Sequence, residues 1–166
     1  MTNDEFNKYI CSTGASFHHV GFVVRDNDKI MDAFNKIPGF GDWFTDESVW
    51  TDENMVVGPK NAIRCSKAKI FDEILVELVQ PQAGKADGTH FEDYLAKQGD
   101  GMHHFAYTIP KHEDFLKIRE QMMADGCEDV HHGKLLHDDG SLFVEFCYLK
   151  VPEGGVYIEL NYSNPK

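Results

Sequence analysis

The chain has 166 residues, 42% of them hydrophobic, with a mean hydropathy of −0.42 and a formal net charge of −12 at pH 7. That length holds one compact domain, or two small modules sharing a core. An acidic surface with a pI near 5.0 argues against nucleic acid as a partner, because phosphate neutralisation needs basic groups, and no apolar run approaches the ~20 residues of a membrane span. The opening MTNDEFNKYICSTG lacks the basic-then-apolar order of a secretory signal. Cys11, Cys65, Cys127 and Cys147 have no CxxC spacing. The expectation is a cytoplasmic protein with free thiols.

Residues 1–16 receive no role from the sequence. Residues 17–25 alternate as a strand, with His18, Val20, Phe22 and Val24 on one face and His19, Gly21 and Val23 on the other. A helix follows over 27–37, with Ile30, Phe34 and Ile37 as its apolar stripe and Pro38-Gly39 as its stop. The stretch 40–81 reads as several strands and turns ending in ILVELVQ. After the strand come a linker, PQAGKADG from Pro81, and a short helix with Thr89 and Glu92 as a capping box and Gly99 as its close, together the connecting segment 82–100. A second strand-helix pair covers 102–109 and 111–125, the helix burying Phe115, Ile118 and Met122. A hairpin turns at Asp139-Gly140 and returns over Leu142 to Tyr148, and VYIELNY closes the chain. The reading is one α+β domain over 1–166, built from two βαβββ modules (17–81 and 101–163). Paired curved mixed sheets face each other around a cleft, with helices outside.

The two modules repeat at the level of residues. FHHVGFVV at 17–24 returns as MHHFAYTI at 102–109, and ILVELVQP at 74–81 returns as VYIELNYS at 156–163. The His-to-Glu spacing is 58 residues from His19 to Glu77 and 55 from His104 to Glu159. Strand alternation puts His19 with Gly21, and His104 with Ala106 and Thr108. His18 and His103 lie with the bulky residues. A bulky face packs on a helix and a small-residue face lines a cleft, so the second His of each pair is the candidate ligand. A strand glutamate that is partly buried is costly unless paired or bound to a cation. Two of them in register with two such histidines point to a metal. Imidazole and carboxylate donors without thiolate suit one divalent ion of Zn, Co, Ni, Mn or Fe, whereas a purely structural zinc more often uses cysteine. The other histidine-rich stretch, EDVHHGKLLHDD at 128–139, fits no ligand spacing and reads as a solvated acidic edge.

These motifs resemble the vicinal oxygen chelate superfamily, which includes glyoxalase I, methylmalonyl-CoA epimerase, extradiol dioxygenases and antibiotic-resistance proteins. The resemblance covers about 17–163. It is most similar to methylmalonyl-CoA epimerases through FEDYLAKQGDGMHHFAYTI, GGVYIELNY and ILVELVQP with its acidic-glycine linker. It implies the paired βαβββ fold, a homodimer, and metal ligands at His19, Glu77, His104 and Glu159, the set that strand faces also select. The chain departs from those epimerases in two places. YLKVPEGG stands where a His-Pro-Lys turn usually precedes the last strand, and IRCSKAKIF carries Arg64 and Lys67 where some epimerases carry a catalytic Glu.

The implied activity is a metal-dependent isomerase or epimerase that removes a proton next to a chelated carbonyl, most similar to methylmalonyl-CoA epimerase, with a small-molecule substrate that includes acyl-CoA. Glu159 is the first candidate base and Glu145 the second. Lys60, Arg64, Lys67 and Lys69 form a basic stretch for substrate phosphates, with Arg64 and Lys67 as its substrate-binding candidates. The alternatives are a lactoylglutathione-lyase-type isomerase, an epimerase of a small non-CoA acid, or a protein that sequesters a small molecule.

Overall fold

The repeat seen in the sequence becomes two halves of one curled sheet that share a seam. The computed structural model describes residues 1–85 and 88–165, so Ala86 and Asp87 of the expected linker lie outside the described residues. In chain order the elements are α1 (Asn3–Ser12), β1 (Ser16–Val23), α2 (Asn27–Phe34), β2 (Phe44–Trp50), β3 (Met55–Val57), β4 (Asn61–Ile70) and β5 (Ile74–Pro81). Then come α3 (His90–Gln98), β6 (Gly101–Thr108), α4 (His112–Ala124), β7 (Glu128–Leu136), β8 (Leu142–Lys150) and β9 (Tyr157–Ser163). The helix expected over 27–37 stops at Phe34. The capping boxes at Thr2–Glu5 and Thr89–Glu92 start α1 and α3. The first of these boxes was a sequence signal for a helix in 1–16.

The strand order is β2-β4-β5-β1-β6-β9-β8-β7-β3. Each half pairs its His strand in parallel with its Glu strand, β1 with β5 and β6 with β9. The halves join through the antiparallel pair β1–β6, so the two sheets are continuous at this seam. β3 leaves its own module and pairs with β7 of the other. It is only a four-residue turn (51–54) from β2, which lies at the opposite edge of the sheet. The sheet must therefore curl until its edges approach. Trp50 of β2 meets Phe146 of β8 with ring centroids 4.5 Å apart.

Two apolar clusters fix the curl. Inside it Val23, Ile63, Cys65, Val79, Phe91, Phe146 and Tyr148 pack together. Outside it Phe115 and Ile118 of α4 pack on Cys147, Leu149 and Leu160, with Phe6, Tyr9 and Ile10 of α1 alongside. α2 is fastened to β4 of its own half by Asn27, whose Nδ2 donates to the Arg64 carbonyl and to Ser66 Oγ, both at 3.0 Å. No helix among the described residues is long and apolar enough to cross a membrane.

Candidate metal centre

The seam carries four buried side chains, His19, Glu77, His104 and Glu159, each offering one ligand-type atom within 4.8 Å of the others. Ladder register explains how residues so far apart in sequence converge. On β5, Glu77 stands opposite Gly21, two residues beyond His19. On β9, Glu159 stands opposite Ala106, two residues beyond His104. Across the seam His19 pairs with Ala106 and Gly21 with His104. Each imidazole therefore lies over a small residue of the opposite strand. A methyl on Gly21 would fall 1.9 Å from His104 Cε1 and 2.1 Å from its Nε2, so glycine is required there for space.

The donor atoms form a compact polyhedron. His19 Nε2 lies 3.0 Å from His104 Nε2, and 3.2 Å from both Glu77 Oε2 and Glu159 Oε2. His104 Nε2 lies 3.5 and 3.3 Å from the same two oxygens. Such edges are the ligand-to-ligand separations around an ion held by bonds of about 2.0–2.2 Å. Hydrogen bonding alone leaves the group incomplete, because among the described residues Glu159 Oε2 finds no partner in good hydrogen-bond geometry, although both imidazoles lie beside it. The residues present fit a divalent cation.

Without an ion the cluster holds protons tightly. Burial opposes charge on His19, but the Glu159 and Glu77 carboxylates outweigh it and raise its pKa to about 10. The same balance raises His104. Burial alone would raise Glu77 and Glu159; the imidazoles of His104 and His19 hold both below the usual carboxylate range, and for Glu77 the Lys67 ammonium adds to this. Lys67 Nζ sits 3.1 Å from Glu77 Oε1.

A cavity of about 150 Å³ opens beside the cluster. Glu77 and Glu159 form one wall; Lys67, Asn61, Trp50, Phe146 and Tyr148 are among the rest. Asn61 Nδ2 of β4 lies 2.6 Å from His131 Nε2 of β7 and ties the two halves across the curl. Tyr148, the cross-strand partner of Glu159, went unnoticed in the sequence. Its signal was the face Val144, Phe146, Tyr148 of the hairpin strand, opposite to that of Glu145.

Several sequence expectations are corrected by strand parity. Glu145 faces away from the cavity, under α4, where His112 Nε2 and His132 Nε2 bind its two oxygens at 2.8 and 2.7 Å. The face it shares with Cys147 meets a helix, so Glu145, the second candidate base, does not reach the cavity. Arg64 lies an odd number of residues from Lys67 and points to the outer face. There Asp28 of α2 holds its guanidinium at 2.8 and 3.0 Å. With Lys60 paired to Asp52 at 3.4 Å, the basic stretch is dispersed and only Lys67 reaches the cavity. The 128–139 stretch is only partly the expected solvated edge. Glu128, Lys134, Asp138 and Asp139 are exposed, but His131 is 1% exposed and His132 4%, because His132 lies beneath Phe115 of α4 and His131 against Phe146 of the inner cluster. His18 is exposed and His103 buried. Neither Nε2 joins the four-atom cluster.

Residues 18–160 match the family model of the glyoxalase/bleomycin resistance protein/dioxygenase superfamily. The chain belongs to this superfamily. Its fold is shared with the methylmalonyl-CoA epimerase of Mycobacterium tuberculosis at 18% identity and TM-score 0.58, over 90% of this chain and 88% of that one. It is also shared with a variant of the Streptomyces coelicolor methylmalonyl-CoA epimerase in complex with 2-nitronate-propionyl-CoA, at 22% identity and TM-score 0.58, over 90% and 97%. A 4-hydroxymandelate synthase variant from Streptomyces coelicolor matches at 10% identity and TM-score 0.57, over 92% of this chain and half of the other. No curated protein matches by sequence. At these identities the solved structures establish the fold.

Proposed function

We propose that the protein is a divalent-metal-dependent isomerase or epimerase acting by proton abstraction next to a chelated carbonyl, with His19, Glu77, His104 and Glu159 as ligands. The observation that carries this reading is the convergence of these four buried donors, two of which, Glu77 and Glu159, line a cavity. A bound ion supplies Lewis-acid polarisation of a substrate carbonyl, which lowers the cost of losing the neighbouring proton. Glu159 is the general base. Its counterpart Glu77 is partly neutralised by Lys67, whereas the residue opposite Glu159 is the uncharged Tyr148. Lys67 also meets the negative charge of the substrate. It is the one Lys or Arg among the described lining residues. Trp50, Phe91 and Phe146 keep water from the reacting carbon.

The first substrate is methylmalonyl-CoA or a close relative, its acyl head in the cavity and its nucleotide outside. A second reading, a small non-CoA acid or a lactoylglutathione-type substrate, is favoured by the cavity volume and by the engagement of Lys60 and Arg64 with acids. A homodimer is part of the proposal through the superfamily resemblance.

The test is solvent exchange: metal-loaded protein in D₂O with acyl-CoAs and with 2-hydroxy and 2-keto acids, read by mass spectrometry. Exchange at the carbon next to the carbonyl of methylmalonyl-CoA, lost by about 10²–10⁴-fold in Glu159→Gln, supports the first substrate. Lys67→Ala should weaken substrate binding while leaving exchange at saturation intact. Turnover confined to a small acid selects the second reading. Ligand binding without proton exchange on any substrate refutes both and leaves a sequestering protein.

A further inference from the structure

Adjacent residues on a strand point to opposite faces, yet in both His pairs the two rings touch. His18 Nδ1 lies 2.7 Å from His19 Nδ1, and His103 Nδ1 lies 3.0 Å from His104 Nδ1. The β1–β6 ladder shows why. The pairing steps from Phe17↔Tyr107 to His19↔Ala106, so His18 is an extra residue on β1. It steps from Gly21↔His104 to Phe22↔Met102, so His103 is an extra residue on β6. Each strand thus carries one bulge, at equivalent points of the repeat, and a bulge re-aims the side chain it carries. Ring planes stand 70° apart in the first pair and 82° in the second.

We propose that His18 and His103 are positioning residues that hold the Nδ1 edges of His19 and His104 and so fix the tautomer and ring angle of both metal-facing imidazoles. The inference rests on the ligand assignment made above. A neutral imidazole carries one N–H and one lone pair. If Nε2 of His19 and of His104 faces a cation, the proton of each must sit on Nδ1. In each Nδ1 pair the ligand then donates and its neighbour accepts. Protein ligands to metals commonly have this outer partner as a carboxylate or carbonyl; here an imidazole fills the place in both halves.

The two partners are not equally rigid. His103 is 0% exposed and stacks on Tyr157 with centroids 4.2 Å apart and 14° between planes. Its Nε2 has no hydrogen-bond partner among the described residues, so the proton it carries in this arrangement faces aromatic rings. That is a cost the metal-bound tautomer must outweigh. His18 sits at the exposed side of the site, where substitution disturbs little packing, and it is the better probe.

The experiment measures zinc affinity by chelator competition in the intact chain and in His18→Leu, His18→Asn, His103→Gln and His104→Ala. Cobalt-loaded samples are read by NMR for ligand-ring N–H resonances. Wild type should show two protected, shifted N–H signals. His18→Leu should weaken zinc binding by about 10–100-fold and expose one N–H signal to rapid exchange while leaving the other. His18→Asn, whose carbonyl can accept, should restore much of both. Unchanged affinity and protection in His18→Leu, or Nδ1–H found on His18 by ¹⁵N shifts of the zinc form, would overturn the inference. A folded His103→Gln with unaltered affinity and the His104 N–H still protected would do so for the second half. Loss of metal in His104→Ala beside an unaffected His18→Leu sinks this inference alone. Retention of metal in His104→Ala sinks the ligand assignment itself.

Discussion

Gly21→Ala tests the seam with a single methyl group. Gly21 does not need a left-handed backbone; it needs emptiness, because His104 lies over it. The added Cβ would meet His104 Cε1 at 1.9 Å, Nε2 at 2.1 Å and Nδ1 at 2.4 Å. Ordinary contact begins near 3.4 Å, so the ring or the strand must move by about 1.5 Å. The ring has little freedom, since Tyr148 stands edge-on at 5.1 Å and His103 at 5.2 Å. Overpacking of this kind costs about 1–3 kcal/mol of stability. The effect on function should be larger in proportion, because a displacement near 1 Å can cost about 10²-fold where geometry matters. The expected result is a folded protein whose zinc affinity falls by about 10²-fold and whose exchange activity is lost. Chelator competition and thermal melts with and without zinc read both effects. A variant with wild-type affinity and stoichiometry would refute the claim that His104 Nε2 is held at the ligand position by the void above Gly21.

Glu145→Gln should keep full metal stoichiometry and proton exchange, because Glu145 lies under α4, away from the cavity. It should lower stability by about 1–3 kcal/mol, since two imidazoles lose a charged partner. That is a fall of about 2–4 °C in Tm per kcal/mol for a chain of this size, and loss of metal would contradict the placement. Metal-free protein should lose stability as pH rises. The pKa of His19 is raised from 6.5 to about 10, so its contribution is fully present below about pH 6.5 and gone above about 10. Metal must displace that proton, so calorimetric titration near pH 7 in buffers of different ionisation enthalpy should show proton release; buffer-independent heats would count against it. Metal at 100 times its Kd should stabilise the fold by about 2.7 kcal/mol, which a chelator should reverse.

Much of the centre was legible in the sequence because the fold says it twice. Period-two alternation from His19 to Gly21, and the Glu in each later strand, named the four residues the structure brings together. Two things escaped. Alternation does not announce a bulge, so His18 and His103 read as members of the bulky faces, whereas each is the extra residue of its strand and lies beside its neighbour's ring. And residue order does not reveal which way a face looks. A charge among apolar neighbours, as at Glu145, is compatible with a cleft, but a helix carrying His112 and the neighbouring strand's His132 satisfy it equally well. Lys67 and Arg64 were treated as one basic stretch although an odd separation sends them to opposite sides. The crossing of β3 to the far edge of the sheet depends on a three-residue pairing with β7 that no local pattern encodes.

A site with perfect two-fold symmetry has a difficulty as a catalyst: its two carboxylates would be equivalent, and proton removal needs one base distinguished from its twin. The ladder shows where this chain breaks the symmetry. Glu77 pairs across the strands with Lys67 on β4, and Glu159 pairs in the same sense with Tyr148 on β8. Equivalent positions therefore hold a cation in one half and a buried phenol in the other. The ammonium takes up negative charge on Glu77 and presents the remainder of its field to the cavity. The phenol, whose pKa is pushed far up by burial and by Glu159, stays neutral and leaves Glu159 with its charge. Exchanging the two by Lys67→Tyr with Tyr148→Lys should move the more basic carboxylate from β9 to β5. If proton abstraction depends on this asymmetry, Glu77→Gln should then become the damaging substitution in the swapped background. Continued dependence on Glu159 there would mean that something other than these two residues selects the base.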